Sequence, residues 1–377
     1  MTPVEAQKSS QKDYAASFQD IQCAAERIAP HIHITPVWQN ATLDKLAGQQ
    51  LFFKCEMLQK TGAFKYRGAC NAIFSLPEDV ASNGVATHSS GNHAAAIARA
   101  AQARSIPAFI VLPSNTPQCK IDAVKAYGGV ITMCPPGMDA REAACKRVID
   151  ETGATFVPPY NHPHVIAGQG TIALEMLQQV PDLDAIVVPV SGGGMISGIS
   201  ICCNHLARSA QQQLDPQQQP QQPPSSPLVR CKPGLKVIAA EPVGRQGTAA
   251  DVALSKATGQ IQLACERPDT IADGLMGRLG DLTWPCVRDL VSGVLTVSEA
   301  EIVNAMQHVY ERMKLVVEPS GAVGLAAVLS PAWGEMCAQG GLLDGCKKVG
   351  VILCGGNVDL AALGLWDSLR KSSGDIQ

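Results

Sequence analysis

Apolar runs of strand length alternate along this chain with stretches whose apolar residues recur at helical spacing. The strand-like runs are LFFKCEMLQ at 51–59, 85–88, 107–113, VITMC at 130–134, the apolar part of DAIVVPVS at 184–191, LKVIAAEP at 235–242 and KKVGVILC at 347–354. Successive apolar positions bounded by turn residues predict strands covered on both faces. Helices are predicted at 17–29, closed by Pro30, at 69–76, across the alanine-rich 94–103, and at 120–129, ended by Gly128 and Gly129. Further helices are predicted at 141–152, within 168–176, where a turn enters a helix, from Met195 onward, at 298–314 with acids in its first turn, and after the glutamate turn VVEPSGA. HIHITPVW at 31–38 brings the chain toward the strand before Lys65. Strands alternating with helices predict a parallel α/β architecture.

Composition adds scale and compartment. The chain has 377 residues, of which 46% are hydrophobic and 17% charged. At roughly 150 residues per domain this exceeds one ordinary domain, and two closely associated lobes are expected. A net charge of -3 favours neither nucleic acid nor an anionic membrane as partner. The 14 cysteines are scattered without a CxxC, and read as buried reduced thiols rather than disulfides. The N-terminus lacks an apolar h-region, and no apolar run reaches the ~18 residues that a membrane span requires. A cytoplasmic protein is expected. Residues 1–16 read as a loose tail, and the Gln/Pro-rich stretch 209–234 as a disordered surface insertion between a helix and a strand.

Candidate chemistry sits in the turns that follow the strands. In KTGAFKYRG (60–68), Lys65 lies between Phe64 and Tyr66. An ammonium in apolar surroundings loses water, its pKa falls, and its amine becomes nucleophilic; the alternative is a solvated basic turn. Ser89, Ser90, Gly91, Asn92 and His93 form a polar turn at a helix start, suited to an anion but also readable as ordinary capping. Ser191–Gly192–Gly193–Gly194 leads into a helix at Met195, a cradle for one phosphate. It is neither GxGxxG nor a Walker loop, which argues against a nucleotide. CGGN at 354–357 ends the last strand, where ligands sit in open α/β sheets. His31 and His33 alternate as on a strand but lack a third ligand, so a metal there is not expected. A cofactor with an aldehyde, one phosphate and an aromatic nitrogen would use all four turns; pyridoxal 5′-phosphate (PLP) fits.

QKTGAFKYRG, THSSGNH, VIAGQGT, SGGGMISG, ADG, VEPSGA and CGGNVDL, in this order, resemble the fold-type II PLP enzymes. That tryptophan synthase β-like family includes serine/threonine dehydratases and serine racemases, and the likeness runs from about residue 17 to 370. The motifs look most like its eukaryotic racemase branch; GDLTWPCVRDLV and LWDS look plant or algal. The resemblance implies two open twisted α/β lobes with PLP in the cleft between them. The larger PLP-binding lobe would comprise 17–75 and 161–370, the smaller 76–160, with a C-terminal tail at 371–377. Lys65 would be the Schiff-base lysine and one acid/base group. Phe64 would pack near the ring, Asn92 would bind the ring hydroxyl, and Glu318 would lie near the ring. Gly192, Gly193, Gly194 and Met195 would hold the phosphate. Cys354, in place of the family's frequent serine, would face the pyridine nitrogen as a weak donor. Ser89, Ser90, Gly91, Asn92 and His93 would grip the substrate carboxylate, and Ser90 would serve as the second acid/base group of a serine racemase.

Elimination to pyruvate and ammonia would accompany racemisation; a serine, threonine or 3-hydroxyaspartate dehydratase is the alternative. The likeness also implies a homodimer and a Mg²⁺ or Ca²⁺ site on Glu241, the Ala249 carbonyl and Asp251, where this chain is several residues longer than the family pattern. Lys60, Thr61 and Tyr127 match a nucleotide site of animal relatives. The segment 40–42 departs from it, so weak or absent ATP activation is expected.

Overall fold

The computed structural model describes residues 14–213, 229–263, 265 and 268–359. Among the described residues, ten strands form two sheets. β1 (Val37–Trp38), β2 (Gln50–Cys55), β7 (Ala185–Pro189), β8 (Lys236–Pro242), β9 (Gly293–Val297) and β10 (Lys348–Leu353) make the larger sheet, in the order β1-β2-β10-β7-β8-β9. All neighbours are parallel except the edge pair β1 and β2. β3 (Val85–Thr87), β4 (Ala108–Pro113), β5 (Val130–Cys134) and β6 (Thr155–Phe156) make the smaller one, fully parallel, in the order β5-β4-β3-β6.

The apolar runs are strands because each face of the large sheet has its own core. Along β7, Ile186 and Val188 enter the core on one face and Ala185 and Val187 the core on the other. β8 repeats this, with Val237 and Ala239 against Ile238 and Ala240. The small sheet is covered likewise: Val85 and Ile110 pack under the helix Asn92–Arg104, and Ala86 and Val111 against the helix Met138–Thr152. Each such Val or Ile contributes roughly 1.5–3 kcal/mol by burial.

Several helix bounds differ from expectation, for packing reasons. The helix expected at 168–176 runs from Pro163 to Gln179 and contains the VIAGQGT motif. Gly168 and Gly170 are therefore interior residues, not a turn. A Cβ on Gly168 would collide with the Gly68 backbone, so the glycine lets this helix touch the helix Lys65–Phe74. The helix expected at 298–314 is α-helical only over Glu299–His308; Val309–Met313 is a π-helical turn, and Lys314 leaves it at φ 60°. In 31–38, His31 and Ile32 belong to the turn that ends the helix Phe18–Ile28, so His31 and His33 do not alternate on a strand, and only Val37–Trp38 pair. Of the Gln/Pro stretch expected as a disordered insertion at 209–234, residues 209–213 complete the helix Gly194–Gln213 and Lys232 pairs with Asp184, while 214–228, residues 1–13 and the chain from 360 onward lie outside the described residues.

A buried charge cluster holds the Lys65–Phe74 helix. The Arg67 guanidinium donates to Glu56 Oε1 and Oε2 at 2.8 Å and to both Glu175 oxygens at 3.0 Å. Lys54 Nζ donates to Glu175 at 2.6 Å, to Gln179 at 2.8 Å and to the Thr35 carbonyl at 2.7 Å. Lys54, Glu56 and Arg67 are fully buried. Two cations against two carboxylates leave the cluster neutral, as burial demands.

Candidate active site

Every chemically suggestive turn lies at the C-terminal end of a parallel strand. The chain beyond β2 reaches Lys65, that beyond β3 is the Ser89–Asn92 turn, that beyond β7 is the glycine loop, and that beyond β10 is Cys354. Lys65 is not in the turn itself but begins its helix, which has no side-chain N-cap. Backbone bonds fix its approach: Phe64 N–H donates to the Cys354 carbonyl at 3.0 Å and Gly356 N–H to the Gly62 carbonyl at 2.9 Å. These join the chain beyond β2 to the chain beyond β10.

The Lys65 side chain is half-buried, with Nζ 5.1 Å from the Phe64 ring centre and 2.7 Å from the Pro159 carbonyl, to which it donates. Burial lowers its pKa to about 8, against a slight opposing pull from Cys354. Asn92 Nδ2 donates to Glu318 Oε1 at 2.6 Å, while Asn92 Oδ1 accepts from Asn357 Nδ2 at 2.9 Å. Burial raises Glu318 to about 7, helped by Asp273 and opposed by the Asn92 hydrogen bond. Cys354 is buried, its thiol pushed far above the usual range by desolvation and then by Glu318, and its Sγ–H points to the Ser320 carbonyl at 3.4 Å. It is a neutral thiol.

The glycine loop is shaped by what surrounds it. Gly193 sits at φ 87°. A Cβ on Gly192 or Gly194 would strike Tyr160, and one on Gly193 would strike Thr283 and Leu279. Thr283 Oγ1 donates to the Gly192 carbonyl at 2.8 Å, and Gly277 N–H to Ser191 Oγ at 2.8 Å. Met195 is buried in the first turn of the following helix, Gly194–Gln213. These close neighbours leave no room for side chains on the loop, so bare backbone N–H groups begin the helix Gly194–Gln213, the donor set that suits one phosphate group. Together with a half-buried lysine of lowered pKa, these residues fit PLP.

On the opposite turn, Ser89, Ser90, Gly91 and Asn92 are half-buried, and Ser89 Oγ accepts from Gly91 N–H at 3.4 Å. Ser90 Oγ has no hydrogen bond among the described residues. The His93 ring is buried and engaged with the Val157 carbonyl at 2.9 Å, so only its backbone N–H remains with the turn. Arg141, absent from the expected site, has a buried Nε without a partner, and its charge acts on His88 beside the turn. Nothing in its helical context distinguishes it in sequence. The Pro159 carbonyl and the Tyr160 ring were also unforeseen.

Glu241 and Asp251 lie close enough that Asp251 helps burial raise Glu241 to about 8; burial raises Asp251 to about 6. Glu241 accepts from the backbone N–H groups of Val252 and Ala253, and Asp251 Oδ2 is buried without a partner. No group of three His, Cys, Asp or Glu side chains gathers among the described residues. His31 stacks on Phe74, and His33 Nδ1 meets the Leu58 carbonyl.

A half-buried lysine of lowered pKa and a glycine turn beyond a parallel strand point to a class of cofactor enzyme, and residues 28–355 match the family model described as pyridoxal-phosphate dependent enzyme. The chain belongs to that family. Among its curated relatives, a serine racemase of Arabidopsis thaliana is 47% identical over 97% of this chain and 99% of its own. A serine racemase of Homo sapiens is 44% identical over 94% of each chain. A beta-hydroxyaspartate dehydratase of Paracoccus denitrificans is 46% identical over 93% of this chain and 99% of its own. The solved maize serine racemase superposes with a TM-score of 0.84 at 46% identity, covering 95% of this chain and 98% of that one. No helix among the described residues is long and apolar enough to cross a membrane.

Proposed function

We propose that this chain is a PLP-dependent serine racemase that also eliminates water from serine to give pyruvate and ammonia. The observation that carries this is the likeness to serine racemases over nearly the whole chain, supported by a half-buried Lys65 of lowered pKa and by a Ser90 hydroxyl with no hydrogen bond among the described residues. Bound PLP would supply an electron sink for the substrate Cα. Lys65 would hold it covalently, Gly192, Gly193, Gly194 and Met195 its phosphate, and Asn92 its ring hydroxyl. Phe64, Glu318 and Cys354 would line the ring, the last as a neutral thiol that withdraws little charge. Ser89, Gly91 and the His93 backbone would take the substrate carboxylate, with Arg141 as a further cation. Lys65, once free, takes the Cα proton of L-serine, and Ser90 returns one from the other side. Elimination needs the first of these steps and departure of the β-hydroxyl as water, but no proton from Ser90.

The reading extends to a cytosolic homodimer with its smaller lobe at 76–160 and the larger at 17–75 and 161–370. It also includes a Mg²⁺ or Ca²⁺ site on Glu241, the Ala249 carbonyl and Asp251. The buried, unpaired Asp251 oxygen supports that site, since hard oxygen donors suit these ions.

The test is paired product analysis. Wild-type protein converts L-serine to D-serine and pyruvate together. Ser90→Ala loses D-serine formation, keeps pyruvate formation from L-serine at least in part, and turns over D-serine poorly. Pyruvate without D-serine from the wild type would make the protein a dehydratase instead, and unchanged racemisation in Ser90→Ala would remove Ser90 from its role.

A further inference from the structure

Leaving β6, the chain runs Val157–Pro158–Pro159 before Tyr160 reaches the glycine loop. Val157 N–H donates to the Ala86 carbonyl at 2.9 Å, tying the start of the segment to β3. Its next two residues are prolines, with φ fixed and no N–H to offer. Alternate carbonyls of this stiff segment hold two side chains: Val157 takes His93 Nε2 at 2.9 Å, and Pro159 takes Lys65 Nζ at 2.7 Å. A carbonyl only accepts, so the His93 proton is on Nε2 and Nδ1 is bare. That Nδ1 is buried and has no partner.

We propose that His93 is a positioning residue, which by holding the Val157 carbonyl keeps the Val157–Pro159 segment against Lys65 and so keeps that amine dry and oriented. One N–H of a neutral amine donates to the Pro159 carbonyl, leaving its lone pair aimed elsewhere. The titratable groups facing the amine are His93 and Cys354, and neither carries charge to hold an ammonium there: burial keeps the first a neutral imidazole and the second a thiol. Without the His93 bond, the buried Val157 carbonyl is unsatisfied, the segment shifts to find water, and Lys65 is rehydrated.

The inference rests on Lys65 being the cofactor lysine, so the experiment separates the two. Full-length protein is freed of PLP with hydroxylamine, and acetylation of Lys65 by acetic anhydride is followed against pH by peptide mass spectrometry. Borohydride reduction of the reconstituted protein locates the cofactor on its own peptide. In His93→Phe the labelling profile moves to higher pH, and each unit of rise slows labelling at pH 7 about ten-fold. In His93→Gln, whose amide reaches the same carbonyl, the wild-type profile returns, an outcome that a purely structural loss would not give. Should His93→Phe fail to fold, Pro158→Gly loosens the segment with both side chains intact, and the same shift is expected. An unmoved profile, or a shift that glutamine does not rescue, overturns the positioning role. PLP trapped on a lysine other than Lys65 overturns the cofactor assignment beneath it.

Discussion

Glu318 shows how far one side chain's surroundings can be read in sequence. Its place in a turn before a helix is legible in VVEPSGA, but not its burial. With a folded pKa of about 7 against 4.5 when exposed, the folded protein holds a proton that the unfolded chain releases. An acid shifted this way costs stability as pH rises from 4.5 through about 7, by up to about 3 kcal/mol. Urea unfolding of PLP-free protein at pH 5 and pH 8 should show a smaller pH-dependent loss in Glu318→Gln than in wild type; equal losses would mean the carboxyl is already ionised at pH 5. Lys65 was legible because a cation between two aromatic residues is a local signal. Its partner, the Pro159 carbonyl, was not, because a backbone oxygen is the same in every residue and only folding chooses which one meets the amine. His93 failed in the same way: SSGNH announces a polar turn, but not that the ring faces inward to β6.

The helix Lys65–Phe74 owes its position to neighbours far away in sequence. Arg67 joins it to Glu56 before the helix and to Glu175 on the helix Pro163–Gln179, at a point where Gly168 lets the two backbones touch. Removing one member leaves a buried charge uncompensated, so Arg67→Leu is expected to destabilise by about 3–5 kcal/mol. Lys146→Leu breaks only an exposed pair with Asp150 and should stay within about 0.5 kcal/mol. Chemical denaturation of both variants checks this, and similar losses would show the buried cluster to be no more than a surface pair. Helix existence was legible from spacing, and helix limits less so. Two glycines in VIAGQGT suggest a turn to any local rule, and only the crossing partner explains why they are helical. The π-helical end at Val309–Met313 has no such signature.

At the scale of the molecule, parallel α/β architecture followed from the alternation of strands and helices, while strand order did not, since periodicity says nothing about neighbours. The carboxylate pair Glu241 and Asp251, on either side of the chain between β8 and the helix Asp251–Thr258, is where a divalent ion would act on the whole fold. Millimolar Mg²⁺ is expected to raise the thermal unfolding midpoint, and Glu241→Gln to remove most of that rise. An equal rise in the variant would place the ion elsewhere. The late arrival of β10 has a consequence in time. Although it follows every other described strand in the chain, it lies between β2 and β7. During synthesis the small sheet, contiguous from Val85 to Phe156, can close early, but β2 and β7 must wait with open edges. Lys65 leaves the ribosome long before residues 354–356, which wall its approach. If Lys65 is the cofactor lysine, cofactor capture belongs to the finished chain, and a nascent chain halted before β10 would carry the lysine without its walls.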